Sequence, residues 1–491
     1  MKKTVKFCSI FLLAAVISLV CVLLATGKAP AAAPALRAKN AADGVVISWD
    51  AVKGAENYEV YKLNADKKWE KRDTTKETTF TDKKVKNGAV YSYKVRAVLK
   101  KGKVEYGKID YTFLRSPALK SITNTKSGIK LKWKNSSYAK NYAIYRKTSG
   151  GSYKLIATVK GAVHEYTDKT AKNGTKYTYS VASQSGNCKS KVGKNKLTTT
   201  FVSQVKNLSV KNSPNGVTLK WSKVNKAVGY VVYRKTAGSS KWVKAATVKS
   251  GQTYIDKKTA YGKKNYYKVY AYIKGGTHGV SSSSASVYSV NPKKKMVALT
   301  YDDGPYRPVT NQILDTLQKY NARATFFVVG SRLSTYKDCL ERENKLGCEI
   351  ACHTYNHTIL TSVSESTIKK EISDTNSLVK KYSGQSVKLV RAPGGAVNDK
   401  VKNAVAYPLI NWSVDTLDWQ NRNTQKTFDN FKNNVKDGSI VLMHDLYTST
   451  GNAAEKIIPW LDKNGYQMVT ISEMMDAKGI KIEKGKLYTH G

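Results

Sequence analysis

A chain of 491 residues, 41% hydrophobic and 24% charged, is too long for one hydrophobic core and too apolar to be disordered throughout, so several folded domains are expected. Its formal charge of +49 is unevenly spread: from Asn291 onward 28 Lys and Arg face 21 Asp and Glu, leaving 56 against 14 in the first 290 residues. Such a field attracts polyanions, yet no arginine-led motif interleaved with aromatics appears, which argues against nucleic acid as the partner and leaves anionic lipid or an anionic wall polymer.

The N-terminus opens Met1-Lys2-Lys3, runs apolar from Phe7 to Ala25, and meets Lys28 and small residues at Ala31-Ala32-Ala33. Residues 1–33 therefore read as an export segment, either a cleaved signal peptide or a membrane anchor, and as the only part expected to meet a membrane. Cys8 and Cys21 fall inside it; Cys188, Cys339, Cys348 and Cys352 remain, too few for a disulfide framework, with one bridge among the last three left open.

Three copies of one module follow. Trp49, Trp133 and Trp221 are each followed nine and twelve residues later by two tyrosines: Tyr58 and Tyr61, Tyr142 and Tyr145, Tyr230 and Tyr233. A second shared block runs from Asp82, Asp168 and Asp256 through Gly88, Gly174 and Gly262 to Tyr93-Lys-Val95, Tyr179-Ser-Val181 and Tyr267-Lys-Val269. Alternating stretches such as Val45 to Trp49 and Val217 to Trp221, with turn residues about every ten positions, predict short strands. The early Trp and late Gly-x-x-Tyr-x-Tyr-x-Val resemble the fibronectin type III β-sandwich, in which the first of those tyrosines makes a corner hydrogen bond. The third copy departs with Asn265 at the corner. The copies are assigned to residues 34–115, 116–202 and 203–290, and as stacked sandwiches they read as spacers, their basic surface open to anionic wall polymers. A linker at 291–295 marks the change of composition.

From Met296 the pattern alternates strand and helix. Val297–Tyr301, Ala324–Val329, Glu349–Cys352, Lys388–Arg391, Leu409–Ser413, Ser439–Met443 and Gln467–Thr470 are apolar runs of strand length, with amphipathic segments at Thr310–Tyr320, Ser366–Tyr382 and Ala453–Leu461. This predicts a distorted β/α barrel over 296–480, with reactive groups at the C-terminal ends of the strands. Asp302-Asp303-Gly304-Pro305 follows the first strand; adjacent carboxylates there point in different directions, so one can hold a metal while the other handles a proton. His353 and His357 follow the third, a spacing that gives two imidazoles to one ion if the loop turns helical, and with Asp303 they form a ligand set suited to zinc. Arg391-Ala392-Pro393-Gly394-Gly395, Asp415 to Trp419, and Leu442-Met443-His444 close the other strands; five polar strand ends are hard to explain as packing.

Together these motifs resemble the NodB-homology polysaccharide deacetylases, carbohydrate esterase family 4, over about 296 to 475, with mild departures at Tyr301 and Ala392. The resemblance implies Asp303, His353 and His357 as ligands of a divalent metal, zinc first with cobalt or manganese as alternatives, and Asp302 as general base. It makes His444 the acid for the leaving amine, oriented by Asp418, with Arg391 orienting Asp302, a backbone N–H near Gly394 for the oxyanion, and Trp419 and Leu442 walling the pocket. It implies an extracellular monomer, secreted or anchored, that removes N-acetyl groups from N-acetylglucosamine units of an acetylated polysaccharide. Peptidoglycan is the leading substrate; chitin oligomers, poly-N-acetylglucosamine and acetylxylan are alternatives. A non-catalytic adhesin or wall-binding scaffold would be expected to lose a ligand or the base, and this chain keeps the whole set.

Overall fold

The structure, a computed structural model, describes residues 32–491, so the apolar run with Cys8 and Cys21 lies outside the described residues. The chain forms two compact units: one reaches Ser121 and adds Lys132–Glu165 and Thr178–Leu197, the other comprises Ile122–Leu131, Tyr166–Tyr177 and Thr198–Gly491. The strands of the second copy are shared between them.

In the first unit, the first copy has a three-stranded antiparallel sheet of Leu36–Asn40, Val45–Trp49 and Thr79–Asp82. A four-stranded sheet comprises Trp69–Thr75, Ala55–Leu63, Val90–Leu99 and Gly107–Thr112. Alternation explains the strands: Val45, Ile47 and Trp49 are buried while Val46 and Ser48 are not. The repeated tyrosine pair splits by role. Tyr58 packs edge-on against Trp49 at 5.4 Å and its hydroxyl accepts from the Val52 N–H, whereas Tyr61, three residues on, stands on the outer face of the sheet. The second copy repeats the pattern over Leu119–Thr200.

The second unit holds the third copy, built the same way: Trp221 meets Tyr230 at 5.3 Å, and the Tyr230 hydroxyl accepts from the Val224 N–H. At the corner, Tyr91 accepts from the N–H five residues back, that of Lys86, while Asn265 donates to the carbonyl five residues back, that of Ala260. The tie survives with its polarity reversed. The Asn291–Lys295 segment is itself tied down: Asn291 exchanges two 2.8 Å hydrogen bonds with the Gln467 side chain, and the Val290 N–H donates to Asn212.

The C-terminal domain runs β1 (Met296–Asp302), α1 (Arg307–Lys319), β2 (Thr325–Val328), α2 (Lys337–Leu346), β3 (Glu349–Cys352), α3 (Glu365–Ser383), α4 (Asp399–Ala404), β4 (Leu409–Ile410), β5 (Val414–Asp415), α5 (Asp418–Asn421), α6 (Thr424–Asn434), β6 (Ser439–His444), α7 (Thr448–Lys463), β7 (Gln467–Met468), α8 (Ile471–Lys478) and β8 (Leu487–Tyr488). The parallel sheet has the order β3-β2-β1-β6-β5, with β7 joining β1 and β8 pairing β4, so the chain stays with this domain past Ile480. Every residue of β1 to β3 is buried, as a parallel sheet covered on both faces requires. Val297, Leu299 and Tyr301 face one core with α1 and α7; Met296 and Ala298 face the other with α8.

Two expected strands are reduced. Lys388–Arg391 keeps only bridges of Val390 to Cys352 and Leu409. Of Leu409–Ser413 only β4 is strand, and β5 begins at Val414; beyond Leu409 the Ile410 and Asn411 carbonyls accept from Arg391. The cysteines at 188, 339, 348 and 352 are free.

Glu343 sits on the buried stripe of α2 beside Cys339 and Leu340, and neither carboxylate oxygen has a partner. Burial, helped by the nearby Asp445 charge, raises its pKa well above the ordinary value. A raised folded-state pKa means stability is lost as pH climbs from the unfolded pKa through the folded one. Glu343→Leu is therefore expected to stabilise the domain at pH 7 by about 1–3 kcal/mol and to gain much less near pH 4. Denaturant unfolding at the two pH values checks this; an equal gain at both would refute it.

Candidate active site

The side-chain period of two selects what the inner face of the sheet carries. Along β1 it reads Met296, Ala298, Thr300, Asp302, apolar at the start and polar at the C-terminal end; along β6 it reads Ile440, Leu442, His444. The parallel register sets Thr300 against Leu442 and Asp302 against His444 on adjacent strands. Asp302 and His444 are thus neighbours because each ends its own apolar strand in register.

Behind Asp302 lies Arg391, wholly buried and stacked 4.1 Å from the Phe327 ring centroid. Its guanidinium donates to Asp302 Oδ1 at 2.6 Å, Thr300 Oγ1 at 2.8 Å, and the carbonyls of Ile410 and Asn411 at 3.1 Å each. A buried charge is stable only with such partners. The arrangement orients one oxygen of Asp302 and leaves Oδ2, which stands 3.8 Å from His353 Nε2, toward the cleft.

Asp303, with left-handed φ of +70°, turns away from its neighbour. Its Oδ1 lies 3.3 Å from His353 Nε2 and 3.1 Å from His357 Nε2, and the donor atoms of the three residues all fall within 4.8 Å of one another. His353 Nδ1 is 2.8 Å from the Arg391 carbonyl, which can only accept, so Nδ1 carries the proton and the Nε2 lone pair faces Asp303. The loop does not turn helical as expected. Thr354 and His357 adopt left-handed φ values of +66° and +58°, and Glu371 of α3 accepts the Tyr355 and Asn356 N–H groups at 2.7 and 2.8 Å, which folds the loop back so that both imidazoles converge. Burial acts to raise the Asp303 pKa, but the close His353 and His357 imidazoles, with His444 beyond, outweigh it and hold the carboxyl well below its usual range.

Across the cleft, His444 Nδ1 is 2.9 Å from Asp418 Oδ1; Asp418 Oδ2 accepts from the His444 N–H at 2.8 Å and from Thr450 Oγ1 at 2.7 Å. Burial lowers the His444 pKa, yet the Asp418 hydrogen bond and charge, with Asp302 and Asp303 beyond, push it up to about 9. Asp303, Asp302, His353, His357, His444 and Gly394 line a cleft of about 390 Å³ together with Trp419, 45% exposed, and the buried Leu442, while Arg391 and Asp418 stand behind its wall.

Four positions escape the sequence reading. Glu371 betrays itself only as a lone acid on the stripe Ile368, Ile372, Thr375, Val379 of α3. Trp412 lines the cleft from the end of the expected Leu409–Ser413 strand, where the sequence assigns it no role, and Tyr447 from a segment without periodic signal. Asp445 follows His444, is buried, accepts from Thr310 Oγ1, and is pushed up to about 7 chiefly by burial. A Cβ on Gly304 would fall 2.1 Å from an Asp445 oxygen, so only glycine fits there.

A parallel β/α sheet thus carries at its strand ends an Asp-His-His cluster with the donor set of a divalent-ion site, between an Arg-paired carboxylate and an Asp-paired imidazole. The polysaccharide deacetylase family model matches residues 289–408. Peptidoglycan-N-acetylmuramic acid deacetylase PdaC of Bacillus subtilis is 42% identical over 190 residues, 39% of this chain and 41% of that protein. Peptidoglycan-N-acetylglucosamine deacetylase PgdA of Listeria monocytogenes is 38% identical over 208 residues, 42% and 44% of the two chains. A Bacillus cereus peptidoglycan-N-acetylglucosamine deacetylase is 35% identical over 199 residues, 39% of this chain and 93% of that protein. This chain belongs to the polysaccharide deacetylase family, while it spans less than half the length of the first two relatives.

Proposed function

We propose that the C-terminal domain is a metal-dependent deacetylase of a cell-wall polysaccharide, acting on N-acetylglucosamine units of peptidoglycan first, outside the cytoplasm. The observation that carries this is the placement of Arg391-held Asp302 and Asp418-held His444 side by side across β1 and β6, next to the Asp303, His353 and His357 donors. The names of the relatives support the wall substrate. In this reading the domain is a distorted β/α barrel and the three copies are fibronectin type III-like sandwiches.

The donor set fits a divalent ion: one carboxylate and two imidazoles converge, His353 has the required tautomer, and Asp303 Oδ1 is buried without a properly aligned hydrogen-bond donor. Bound by Asp303, His353 and His357, zinc, cobalt or manganese supplies Lewis-acid polarisation of the amide carbonyl and acidifies water. Asp302, oriented by Arg391, takes the proton of the attacking water. His444, kept protonated by Asp418, delivers a proton to the departing nitrogen. Trp419 and Leu442 enclose the acetyl methyl, and a backbone N–H near Gly394 faces the developing oxyanion.

Acetate release from peptidoglycan, chitin oligomers, poly-N-acetylglucosamine and acetylxylan, with and without chelator, tests this. Release only from another glycan would move the substrate; no release with any divalent ion would leave the scaffold reading.

The raised His444 pKa sets a pH limb. As the acid it must stay protonated, so turnover should fall at or somewhat below pH 9, since a bound cation offsets the Asp302 and Asp303 charges. Asp418→Asn removes the hydrogen-bonded anion and should move that limb toward neutral pH by about one unit or more, a loss of at least 1.4 kcal/mol of imidazolium stabilisation. A pH–kcat profile with an unmoved alkaline limb would exclude His444 as the acid.

A further inference from the structure

The third copy, residues 203–290, holds sixteen Lys and Arg and a single acid, Asp256. Asp256 is buried and already taken, by Arg234 at 2.5 Å, by the Tyr267 hydroxyl and by the Lys258 N–H. The copy's remaining cations have no carboxylate of their own module to meet.

Three of them share the outer face of the four-stranded sheet, on Gly229–Thr236 and Lys264–Tyr272, where register sets Tyr233 opposite Lys268 and Lys235 opposite Tyr266. Lysine and aromatic side chains therefore alternate both along and across the strands. Lys268 Nζ lies 4.4 Å from the Trp242 ring centroid and 5.8 Å from that of Tyr233; Lys235 lies 5.5 Å from Trp242 and 5.4 Å from Tyr266; Lys264 lies 5.9 Å from Tyr266. None of the three makes an ion pair among the described residues. The rings are not core: Tyr233, Trp242 and Tyr266 remain partly exposed, and the cores of the copy are filled by Trp221, Tyr230 and Tyr267 from the other side of the strands.

The same nest recurs in the first copy, where Lys94 lies over Trp69, Tyr61 and Tyr106 at 4.7, 5.1 and 4.1 Å. There Glu59 sits on the face and binds Arg96 at 2.7 Å and Lys71 at 3.3 Å. The position ten residues after the anchor Trp, Glu59 in the first copy, is Val231 in the third. Glu59 offsets part of the charge of the first face; the third face has cations and no carboxylate at that position.

We propose that this face of the third copy binds a linear polyol-phosphate polymer, one phosphodiester charge per unit. The ammonium groups lie 4.4 to 5.9 Å from the centroids of these partly exposed rings, so the face presents charge ordered on an aromatic surface. Lysine is a point-charge phosphate binder; Lys264 and Lys268 stand four residues apart on one strand, about 13 Å, and Lys235 lies opposite Tyr266 on the next, so the three form a zigzag of about 8 Å steps that flexible side chains can fit to consecutive charges of a polymer charged at every unit. The inference stands apart from the deacetylase reading, and its test needs no catalysis.

The experiment measures binding of poly(glycerol phosphate) to the full chain across a salt series. The Lys235→Gln, Lys264→Gln, Lys268→Gln triple variant is expected to bind at least tenfold more weakly, with the log K against log salt slope reduced by about 2, from about 0.7 per lost phosphate contact. A control triple at the exposed Lys206, Lys223 and Lys249 should change affinity less than about threefold by the same counting. Thermal unfolding of each variant verifies that the module stays folded. No binding by the unaltered chain, equal losses in both triples, or equally tight binding of a charge-matched single-stranded oligonucleotide would each overturn the proposal.

Discussion

Asp302→Asn is expected to lower kcat by about 10²–10⁴-fold, the range that a positioned general base supplies, while ion content stays near that of the unaltered protein. The substitution is isosteric and keeps an acceptor for Arg391 Nη1, but removes the charge that partners a wholly buried guanidinium. Some stability goes with it, up to the roughly 3–5 kcal/mol seen when a buried pair is broken, and less to the extent that Thr300 and the Ile410 and Asn411 carbonyls still hold the guanidinium. Kinetics therefore belong below the variant's own unfolding midpoint. The ligand atoms of Asp303, His353 and His357 are untouched, so a variant that binds the ion and hardly turns over separates base from ligand. Retention of more than a tenth of the activity would remove Asp302 from the base role.

His357→Ala is expected to lose both ion and turnover. His357 is half-exposed and held by its loop, not by core packing, so the fold should tolerate the change with little loss of midpoint. What it removes is one of only three donors, and the two left are not enough to hold a divalent ion tightly against solvent. Metal content after dialysis, measured beside acetate release, gives the answer: full ion content would place the ion elsewhere. The two variants fail differently, one keeping the ion and one losing it, and that contrast is more informative than either rate alone.

Much of the site was legible because a parallel strand reports its own end. Asp302, His353 and His444 each follow an apolar run that can only be a buried strand, and the polar residue that stops such a run sits at its C-terminal edge. The repeats were legible for a different reason: Trp49, Trp133 and Trp221 are each followed by the same spacing to two tyrosines, and a recurrence needs no partner to be seen. Glu371, Trp412, Tyr447 and Asp445 were not legible, since each acts across a distance that no window of sequence spans: Glu371 reaches the His353–His357 loop from a helix that begins eight residues beyond it.

Sequence by itself determined the threefold recurrence, the apolar strands of the C-terminal domain and the residue types offered at their ends, because local apolar periodicity and residue spacing suffice for these. Only the tertiary structure decided how two histidines four apart meet one carboxylate, through left-handed Thr354 and His357 pinned by Glu371 and not through a helical turn. It also decided which tyrosine of each repeated pair packs and which faces outward, and that the third copy's face keeps its lysines without a carboxylate. Burial and through-space pairing depend on what lies across the fold, and the linear chain does not contain that.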